Sequence, residues 1–201
     1  NEPISTPAVT IAGQRADLVA EVAGSNHQGY AASLTLSDIL TGTDGSCSVS
    51  VSFADLASNV GVAQMSVLGG SMVAIDLSPP SLSVVRIVSS NTADPSRANA
   101  GDQITVSIET SEAIIEPTVS VAGQPATMSS DGSNGRTWIA AGRVGDVSEG
   151  VTQLSIAYED LAGNAGRMVA TTTDSSEVVI DHTAPALVSV SMTSDNTATP
   201  R

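Results

Sequence analysis

The sequence predicts an all-β protein made of tandem β-sandwich repeats, each with about seven strands and a period of about 105 residues. Three observations support this prediction. A stretch at 153–187 has a counterpart at 48–82. Short runs of alternating apolar and polar residues recur along the chain, which is the pattern of half-buried strands. Turns rich in Gly, Asn, Asp and Pro separate these runs, and no convincing helical pattern is present.

The two stretches share several anchor residues at one constant separation. An identical separation at several anchors indicates an internal repeat, and each repeat then corresponds to one structural unit. The matched pairs, all 105 positions apart, are Asp55 with Asp160, Asn59 with Asn164, Asp76 with Asp181, and Leu82 with Leu187.

The opening segment 1–14 has its counterpart at 111–124, with a separation of 110 residues. Its pattern Pro-x-Val-x-Val/Ile-x-Gly predicts a half-buried strand that ends in a glycine turn. In the less regular region that follows, 24–26 resembles 132–134. Tyr30 then corresponds to Trp138, and we expect each to supply a large side chain to the core.

The closing hairpin of each repeat contains the best-supported core strands. Both hairpins carry the turn Asp-Leu-Ala-Gly/Ser-Asn, and a second strand is predicted to return from about Gly61 or Gly166. The alternating apolar residues before the turn are Val49, Val51 and Phe53 in the first repeat and Leu154, Ile156 and Tyr158 in the second.

The junction Asp-x-x-x-Pro leads into a predicted strand at 82–88, and Ile104, Val106 and Ile108 alternate again after a turn at 99–102. A complete repeat therefore carries about seven short strands, which is typical of an immunoglobulin-like (Ig-like) sandwich. A small barrel is the alternative architecture.

The repeats predict three segments. Residues 1–77 form an incomplete Ig-like repeat that lacks its first two strands, residues 78–182 form a complete repeat, and residues 183–201 form the first strand of a third repeat. Half-sandwiches expose unpaired edges. We therefore expect either a window from a longer array or strands supplied by a neighbouring chain, as in donor-strand complementation.

Composition and charge exclude several classes of function. The net charge is −14, with seven Arg and no Lys, which disfavours binding to nucleic acids and to anionic membranes. The acidity suits a soluble extracellular protein and divalent cations, although it could equally serve solubility alone. Cys47 is the only cysteine, so no intrachain disulfide can form. No run of about 18 apolar residues predicts a membrane span.

The sequence predicts no enzyme. It contains no Gly-x-Ser-x-Gly, His-Glu-x-x-His or phosphate-binding glycine loop. Acidic residues that match in both repeats favour a structural role over paired catalytic carboxylates. His27 and His182, the only histidines, cannot build a zinc site alone, although His182 at a junction is a candidate pH-sensitive group.

Four motifs carry a resemblance to a known family. They are Asp-x-Thr-Ala-Pro at 181–185, Asn-Ala-Gly-Asp-Gln-Ile-Thr-Val at 99–106, Ser-Glu-Ala-Ile at 111–114 and Tyr-Glu-Asp-Leu-Ala-Gly-Asn at 158–164. In order and spacing they resemble the bacterial Ig-like repeats that form stalks in large cell-surface proteins, such as biofilm-associated and RTX-type adhesins.

The resemblance covers 78–201 well and 1–77 moderately. It implies a spacer on the bacterial cell surface or in a secreted protein, with calcium bound at the junctions between repeats. The chain departs from the family pattern at Ser58, where the turn normally has Gly, and at 77–80, which reads Leu-Ser-Pro-Pro. The isopeptide bonds of some bacterial Ig-like domains need Lys, and this chain has none.

Calcium takes six to eight oxygen ligands from carboxylates, carbonyls and amides. The turn from Asp160 to Asn164 offers two side-chain oxygens on one tight loop. Asp55 and Asn59 offer the same pair in the first repeat, where they would serve the preceding junction. The alternative is that these residues only cap the turn through its backbone N–H groups.

The junctions are the second place where calcium is expected. Asp181 closes the last strand of its repeat, so it should lie at the opposite end of the domain from Asp160. A site is predicted from Asp181 with turns of the next domain. The corresponding site between the two repeats combines Asp76 with Asp102, Glu112 or Asp160 of the following domain.

The resemblance therefore implies a structural spacer of a large secreted bacterial surface adhesin, stiffened by calcium at the junctions between repeats. Its partners would be neighbouring Ig-like repeats of the same or an adjacent chain, and another domain would bind the host or surface ligand. Two alternatives remain open. One is a self-assembling extracellular fibre subunit that donates 183–201 to the next chain, and the other is a carbohydrate-binding module.

Overall fold

The computed structural model describes residues 3–19, 29–35, 44–67, 70–132 and 134–195. His27, the segment 24–26 and the end of the predicted third-repeat strand, 196–201, lie outside the described residues. The chain forms two compact units, Asn1–Pro79 and Pro80–Arg201. The described residues form an all-β structure of several small sheets, without a helix. Consequently no helix among them is long and apolar enough to cross a bilayer.

The first unit contains seven short strands within its described residues. They are β1 (Ala8–Ile11), β2 (Gln14–Arg15), β3 (Asp17–Val19), β4 (Ala31–Ser33), β5 (Gly45–Ser46), β6 (Val49–Ser52) and β7 (Ala74–Ile75). They form a three-stranded sheet of order β2-β1-β6 and two pairs, β3-β4 and β5-β7, all antiparallel.

The second unit has longer strands and more of them. They are β8 (Leu82–Ser89), β9 (Arg97–Ala98), β10 (Gln103–Thr110), β11 (Thr118–Val121), β12 (Gln124–Pro125), β13 (Thr127–Ser130), β14 (Thr137–Arg143), β15 (Gly150–Val151), β16 (Leu154–Ala157) and β17 (Val179–Ile180). The sheet orders are β13-β14-β10-β8, β12-β11-β16 and β15-β17-β9, and only β17 and β9 run parallel.

Strand β10 is central to the four-stranded sheet. It pairs antiparallel with β14 on one side and with β8 on the other. Its side chains alternate between the two faces, as in any strand, so Ile104, Val106 and Ile108 share one face and are all 0% exposed. The predicted alternation at these three positions is confirmed.

One core joins the second unit's four-stranded and three-stranded sheets. Buried residues of β11 and β16, including Val119 and Ile156, belong to the same cluster as those of β8, β10 and β14. Two antiparallel sheets with a shared core are the layout of a β-sandwich. Trp138 and Tyr158 are each 8% exposed within this cluster, so the large core side chain expected at Trp138 is confirmed. Tyr30 is only half-buried.

Strand pairing follows the same scheme in both units. The strand β1 pairs with β2 and β6, as β11 pairs with β12 and β16. The strand β3 pairs with β4 as β13 pairs with β14, and β5 pairs with β7 as β15 pairs with β17. The described part of the first unit contains no strand corresponding to β8, β9 or β10.

The prediction of a continuous strand that returns from about Gly61 or Gly166 is wrong. In the described residues of the first unit, only isolated bridges such as that between Val51 and Gln64 occur between the turn and β7. The second unit shows the same pattern. Only isolated bridges, such as that between Ile156 and Val169, occur before β17 begins. The intervening Ser and Thr residues instead bind the edge of β8. Thr173 donates its backbone N–H to the Val85 carbonyl over 2.9 Å, and its Oγ1 accepts the Val85 N–H over 2.9 Å.

A glycine follows the closing turn in each unit because an aromatic ring lies against it. The backbone N–H of Gly166 donates to the Tyr158 carbonyl over 2.9 Å, and a Cβ on this glycine would lie 2.2 Å from Cε2 of the tyrosine ring. Gly61 and Phe53 show the same 2.9 Å bond and the same 2.2 Å approach. The position of the turn is therefore fixed by a contact that no larger residue allows.

Candidate metal centre

The turn after β16 is built around the carboxylate of Asp160, which is 2% exposed. Its Oδ1 accepts backbone N–H groups from Ala162 and Asn164, each over 2.8 Å. Its Oδ2 accepts Nδ2–H of Asn164 over 2.8 Å. The side chains of Asp160 and Asn164 thus hold their own turn closed, as expected from the capping alternative.

The first unit repeats this geometry. Oδ1 of Asp55 accepts the N–H groups of Ala57 and Asn59, each over 2.8 Å, and Oδ2 accepts Nδ2–H of Asn59 over 2.7 Å. The turn needs a residue with positive φ, which is Gly163 at 91° in the second unit and Ser58 at 72° in the first. The departure at Ser58 therefore keeps the turn conformation, although a serine adopts it less readily than glycine.

Hydrogen bonding sets the charge of both turn carboxylates. Burial alone would raise the pKa of Asp160, but the hydrogen bonds from Asn164, Ala162 and Gly163 outweigh this effect and lower the pKa overall. The side chain of Asn59, followed by its backbone N–H, lowers the pKa of Asp55. Both carboxylates are therefore anionic at neutral pH.

Glu112 is the second carboxylate at this end of the second unit. A β-bridge pairs Ile114 with Asp160, and the Ile115 N–H donates to the Glu159 carbonyl over 3.1 Å. These contacts hold the segment that carries Glu112 against the closing turn. A carboxylate oxygen of Glu112 lies within 4.8 Å of one from Asp160.

Two carboxylates at this distance favour the binding of a cation near them. Like charges repel more strongly where burial lowers the local dielectric, and a divalent ion bound between the two carboxylates offsets this repulsion because it attracts both. Calcium is the biological cation that prefers carboxylate oxygens and accepts irregular coordination. Glu112 and Asp160 offer carboxylate oxygens of the kind that such an ion takes.

Asp102 and Asp181 lie at the other end of the second unit. Oδ2 of Asp102 accepts the Asn99 N–H over 2.8 Å, while the Asp181 N–H donates to the Ala98 carbonyl over 2.9 Å. The eight-residue strand β10 separates Asp102 from Glu112 by roughly 24 Å, at about 3.4 Å per residue. The structure thus brings Glu112 and Asp160 together and separates both from Asp102 and Asp181.

A carboxylate not singled out from the sequence holds the chain exit of each unit. Oε1 of Glu149 accepts the His182 N–H over 2.7 Å and the Thr183 hydroxyl over 2.8 Å. In the first unit, Asp44 accepts the Leu77 N–H over 2.7 Å and the hydroxyl of the next residue, a serine. The sequence contains one indication of this shared role, because Asp44 and Glu149 are both acidic and lie 105 positions apart.

The exit turns also use the junction aspartates. Oδ1 of Asp181 accepts the Thr183 N–H over 3.0 Å, and Oδ1 of Asp76 accepts the Ser78 N–H over 3.1 Å. Nδ1 of His182 lies 3.2 Å from Oδ1 of Asn99. Each candidate ligand at an exit is therefore oriented by its own turn.

Searches against protein-family models, curated proteins and solved structures each return no match.

Proposed function

We propose that the chain consists of Ig-like spacer repeats from a large secreted bacterial surface adhesin, stiffened by calcium at the junctions between repeats. The observation that carries the calcium proposal is the close pair of carboxylates, Glu112 and Asp160, at the end where the chain enters the second unit. The acidic composition and the four family-like motifs support the cellular context.

The repeat relationship is supported by the matching strand pairs of the two units. It is also supported by side-chain detail, because the Asp55 and Asp160 turns accept the same hydrogen bonds from the same relative positions. We infer that both units are copies of one Ig-like repeat with a period of about 105 residues.

We assign Asp76 as the third calcium ligand because it lies shortly before the point where the chain enters the second unit. The entry to the second unit is held beside Glu112, since Ser81 and Ser111 exchange two hydrogen bonds of 2.9 Å. Asp76 precedes Ser81 by five residues, a length that spans at most about 17 Å. Pro79 and Pro80 lie in this linker and restrict its backbone.

The mechanism is mechanical. Three carboxylates, from Asp76, Glu112 and Asp160, would provide the anionic part of a calcium site, and carbonyls or waters would complete it. Because the ligands belong to consecutive repeats, the ion would fix the angle between them. Each repeat in a linear array contacts only its neighbours, so stiffness depends on the junctions.

Two other predicted ligand sets extend the same scheme along the array. Asp55 and Asn59 would serve the junction before the first unit, and Asp181 would serve the junction after the second. This arrangement assigns Asp160 and Asp181 to different ions, in agreement with their positions at opposite ends of the unit.

The test is calorimetric unfolding of the full chain with calcium and then with excess EGTA. We expect the chelator to lower the unfolding midpoint of the second unit, because an ion bound to the native state stabilises it. Glu112→Gln should abolish most of this difference. Glu116→Gln removes the same charge from an exposed side chain on the same segment. This variant should keep the difference in unfolding midpoint between calcium and EGTA. Equal midpoints in calcium and EGTA would refute the calcium site.

A fibre subunit is the second candidate, and one observation favours it. Residues 183–195 form no strand, and the apolar side chains of Leu187, Val188, Val190 and Met192 are between 80% and 96% exposed. This segment matches β8 of the second unit in sequence, so it is suited to strand addition. Growth in mass with concentration, measured by light scattering, would favour the fibre, whereas a constant monomer mass would favour the spacer.

A carbohydrate-binding module receives less support. Sugar binding commonly uses exposed aromatic rings, but Trp138 and Tyr158 are buried, and Tyr30 and Phe53 are half-buried. These four are all the aromatic residues of the chain. Absence of binding on a glycan array is the expected result.

A further inference from the structure

The loop between β13 and β14 contains the only Asn-Gly pair of the chain, Asn134 and Gly135. Asparagine is one of the chemically labile residues of proteins. The backbone nitrogen of the following residue can attack its side-chain amide carbon, and the ring that forms has five members. A following glycine obstructs this attack least because it has no side chain. At every other asparagine of this chain, the next residue carries a side chain.

The fold itself requires glycine at position 135. Gly135 has a φ of 65°, a left-handed conformation that residues with a side chain rarely adopt. A Cβ added to this glycine would also lie 3.4 Å from the Cβ of Ala113. The local backbone therefore keeps the least obstructive residue directly after Asn134.

The side chain of Asn134 is exposed to water and held in one direction. Its Oδ1 accepts the Arg136 N–H over 3.0 Å, which folds the side chain back along the chain beside Gly135. A hydrogen bond to this oxygen also stabilises the negative charge that develops on it when a nitrogen attacks the amide carbon. Access to water and this hydrogen bond both favour reaction at Asn134.

We propose that Asn134 is a site of spontaneous covalent modification, and that its modified form loosens the segment 110–114. The Gly135 nitrogen forms a bond to Cγ of Asn134, and the Cγ–Nδ2 bond breaks. Nδ2 leaves as ammonia and takes the proton given up by the Gly135 nitrogen. Water then opens the cyclic imide. Opening at Cγ gives aspartate, whereas opening at the backbone carbonyl gives isoaspartate, in which the main chain runs through the side chain.

Isoaspartate changes the length of the backbone as well as the charge. It adds one carbon–carbon bond of about 1.5 Å to the main chain directly before Gly135. The Gly135 carbonyl accepts the Ile114 N–H over 2.9 Å and Nε1–H of Trp138 over 3.2 Å. The next carbonyl, that of Arg136, accepts the Thr110 N–H over 3.0 Å. Lengthening the chain at this point displaces both carbonyls from their donors.

These hydrogen bonds hold the segment that carries Glu112. The Thr110 hydroxyl donates to the Glu112 carbonyl, and Ile114 forms the β-bridge with Asp160. Loss of the bonds from Thr110 and Ile114 to the loop increases local opening of 110–114. A second consequence rests on the proposed function. If Glu112 is a calcium ligand, the isoaspartate form binds calcium more weakly than the unmodified chain.

The first measurement is the rate of modification. The full chain is aged near neutral pH at physiological temperature, and peptide mass spectrometry follows conversion of each asparagine into aspartate and isoaspartate. We expect Asn134 to convert several-fold faster than every other asparagine. The internal comparison is Asn26, which matches Asn134 in the first repeat but precedes His27. The variant Asn134→Gln keeps an amide but needs a six-membered ring, so it should stay unmodified. Equal rates at Asn134 and Asn26 overturn the inference.

The second measurement is hydrogen exchange of the isoaspartate form, separated by chromatography and kept in EGTA. We expect the Thr110 and Ile114 amides to exchange about tenfold faster than in the unmodified chain. The Val144 N–H, which donates to the Asp102 carbonyl at the other end of the unit, should not change. Asn134→Asp adds the same charge without lengthening the backbone and should exchange like the unmodified chain. Unchanged exchange in the isoaspartate form, or equally fast exchange in Asn134→Asp, overturns the inference.

Calorimetry of the same samples separates this inference from the calcium proposal. An unmodified chain with equal unfolding midpoints in calcium and EGTA refutes the calcium site, and hydrogen exchange alone then decides whether modification loosens 110–114. Where the unmodified chain responds to calcium, we expect a smaller rise of the midpoint in the isoaspartate form. An equal rise in both forms overturns the inferred effect on the site.

Discussion

The side chain of Asn164 donates Nδ2–H to Oδ2 of Asp160 over 2.8 Å, while Oδ1 of that carboxylate accepts two backbone N–H groups of the same turn. One amide therefore fixes the orientation of the buried carboxylate. Because the carboxylate oxygens are held in place before any ion arrives, the turn can serve both as a structural cap and as part of a binding site.

Replacing this amide should weaken the second unit. Asn164→Ala removes the hydrogen bond from the Asn164 side chain to Oδ2 of the buried Asp160 carboxylate. We therefore expect a loss of about 1–3 kcal/mol in the free energy of unfolding. Denaturant unfolding in EGTA measures this change without a contribution from calcium. Asn134→Ala, on an exposed turn, is the control and should change stability much less.

Acid should destabilise the turns in a defined direction. The pKa values of Asp55 and Asp160 are lower in the folded chain than in a model peptide. Their ionised forms therefore stabilise the fold above the ordinary carboxyl pKa, and that contribution is lost as the pH falls through the lowered value. The unfolding midpoint, followed from neutral pH to about pH 2 in EGTA, should fall less steeply for Asp160→Asn. An unchanged slope would contradict this assignment.

In this chain the calcium-dependent stability of the second unit should depend on the end that carries Glu112 and Asp160, because the site proposed at Asp181 also needs turns of a following repeat. Asp181→Asn alters the far end, so the calcium-dependent rise in the unfolding midpoint should persist in this variant. Asp76→Asn should reduce it. At a hundred times its dissociation constant, calcium is expected to contribute about 2.7 kcal/mol to stability. Isothermal titration of the two variants with calcium checks the assignment. Loss of calcium binding in Asp181→Asn would mean that the site lies at the end of the unit that carries Asp181.

The glycine beside Tyr158 offers a packing test. In Gly166→Ala the new methyl would lie 2.2 Å from the ring, and we expect a loss of about 1–3 kcal/mol as the hairpin shifts. Gly145→Ala is the control because no atom lies within 4 Å of its added Cβ. Chemical denaturation compares the two, and equal stability would mean that the ring moves aside without cost.

Alternation in the sequence located the principal core strands but not the segment between Gly166 and β17. Ile104, Val106 and Ile108 follow a simple two-residue period, so their shared face was predictable. Thr173 and Ser176 were not, because their hydroxyl oxygens accept the N–H groups of Val85 and Ile87. Such a role depends on a strand almost 90 residues earlier in the chain.

The candidate site was predictable only in part, for a similar reason. Asp160 and Asn164 lie on one turn, so local spacing was enough to pair them. The approach of Glu112 depends on the bridge between Ile114 and Asp160, which is a tertiary contact. Glu149 was overlooked because its partners, His182 and Thr183, meet it only where the folded chain leaves the unit.

The length of β8 has a consequence for a protein pulled from its two ends. Tension applied at Ser81 acts along β8, which pairs with β10 from Leu82 to Ser89. The inter-strand hydrogen bonds lie across the direction of pull, so they are strained together in shear and do not open one after another. At the opposite end, β17 runs parallel to β9 and is loaded in the same manner. A repeat attached through these two strands resists extension as a whole before it yields.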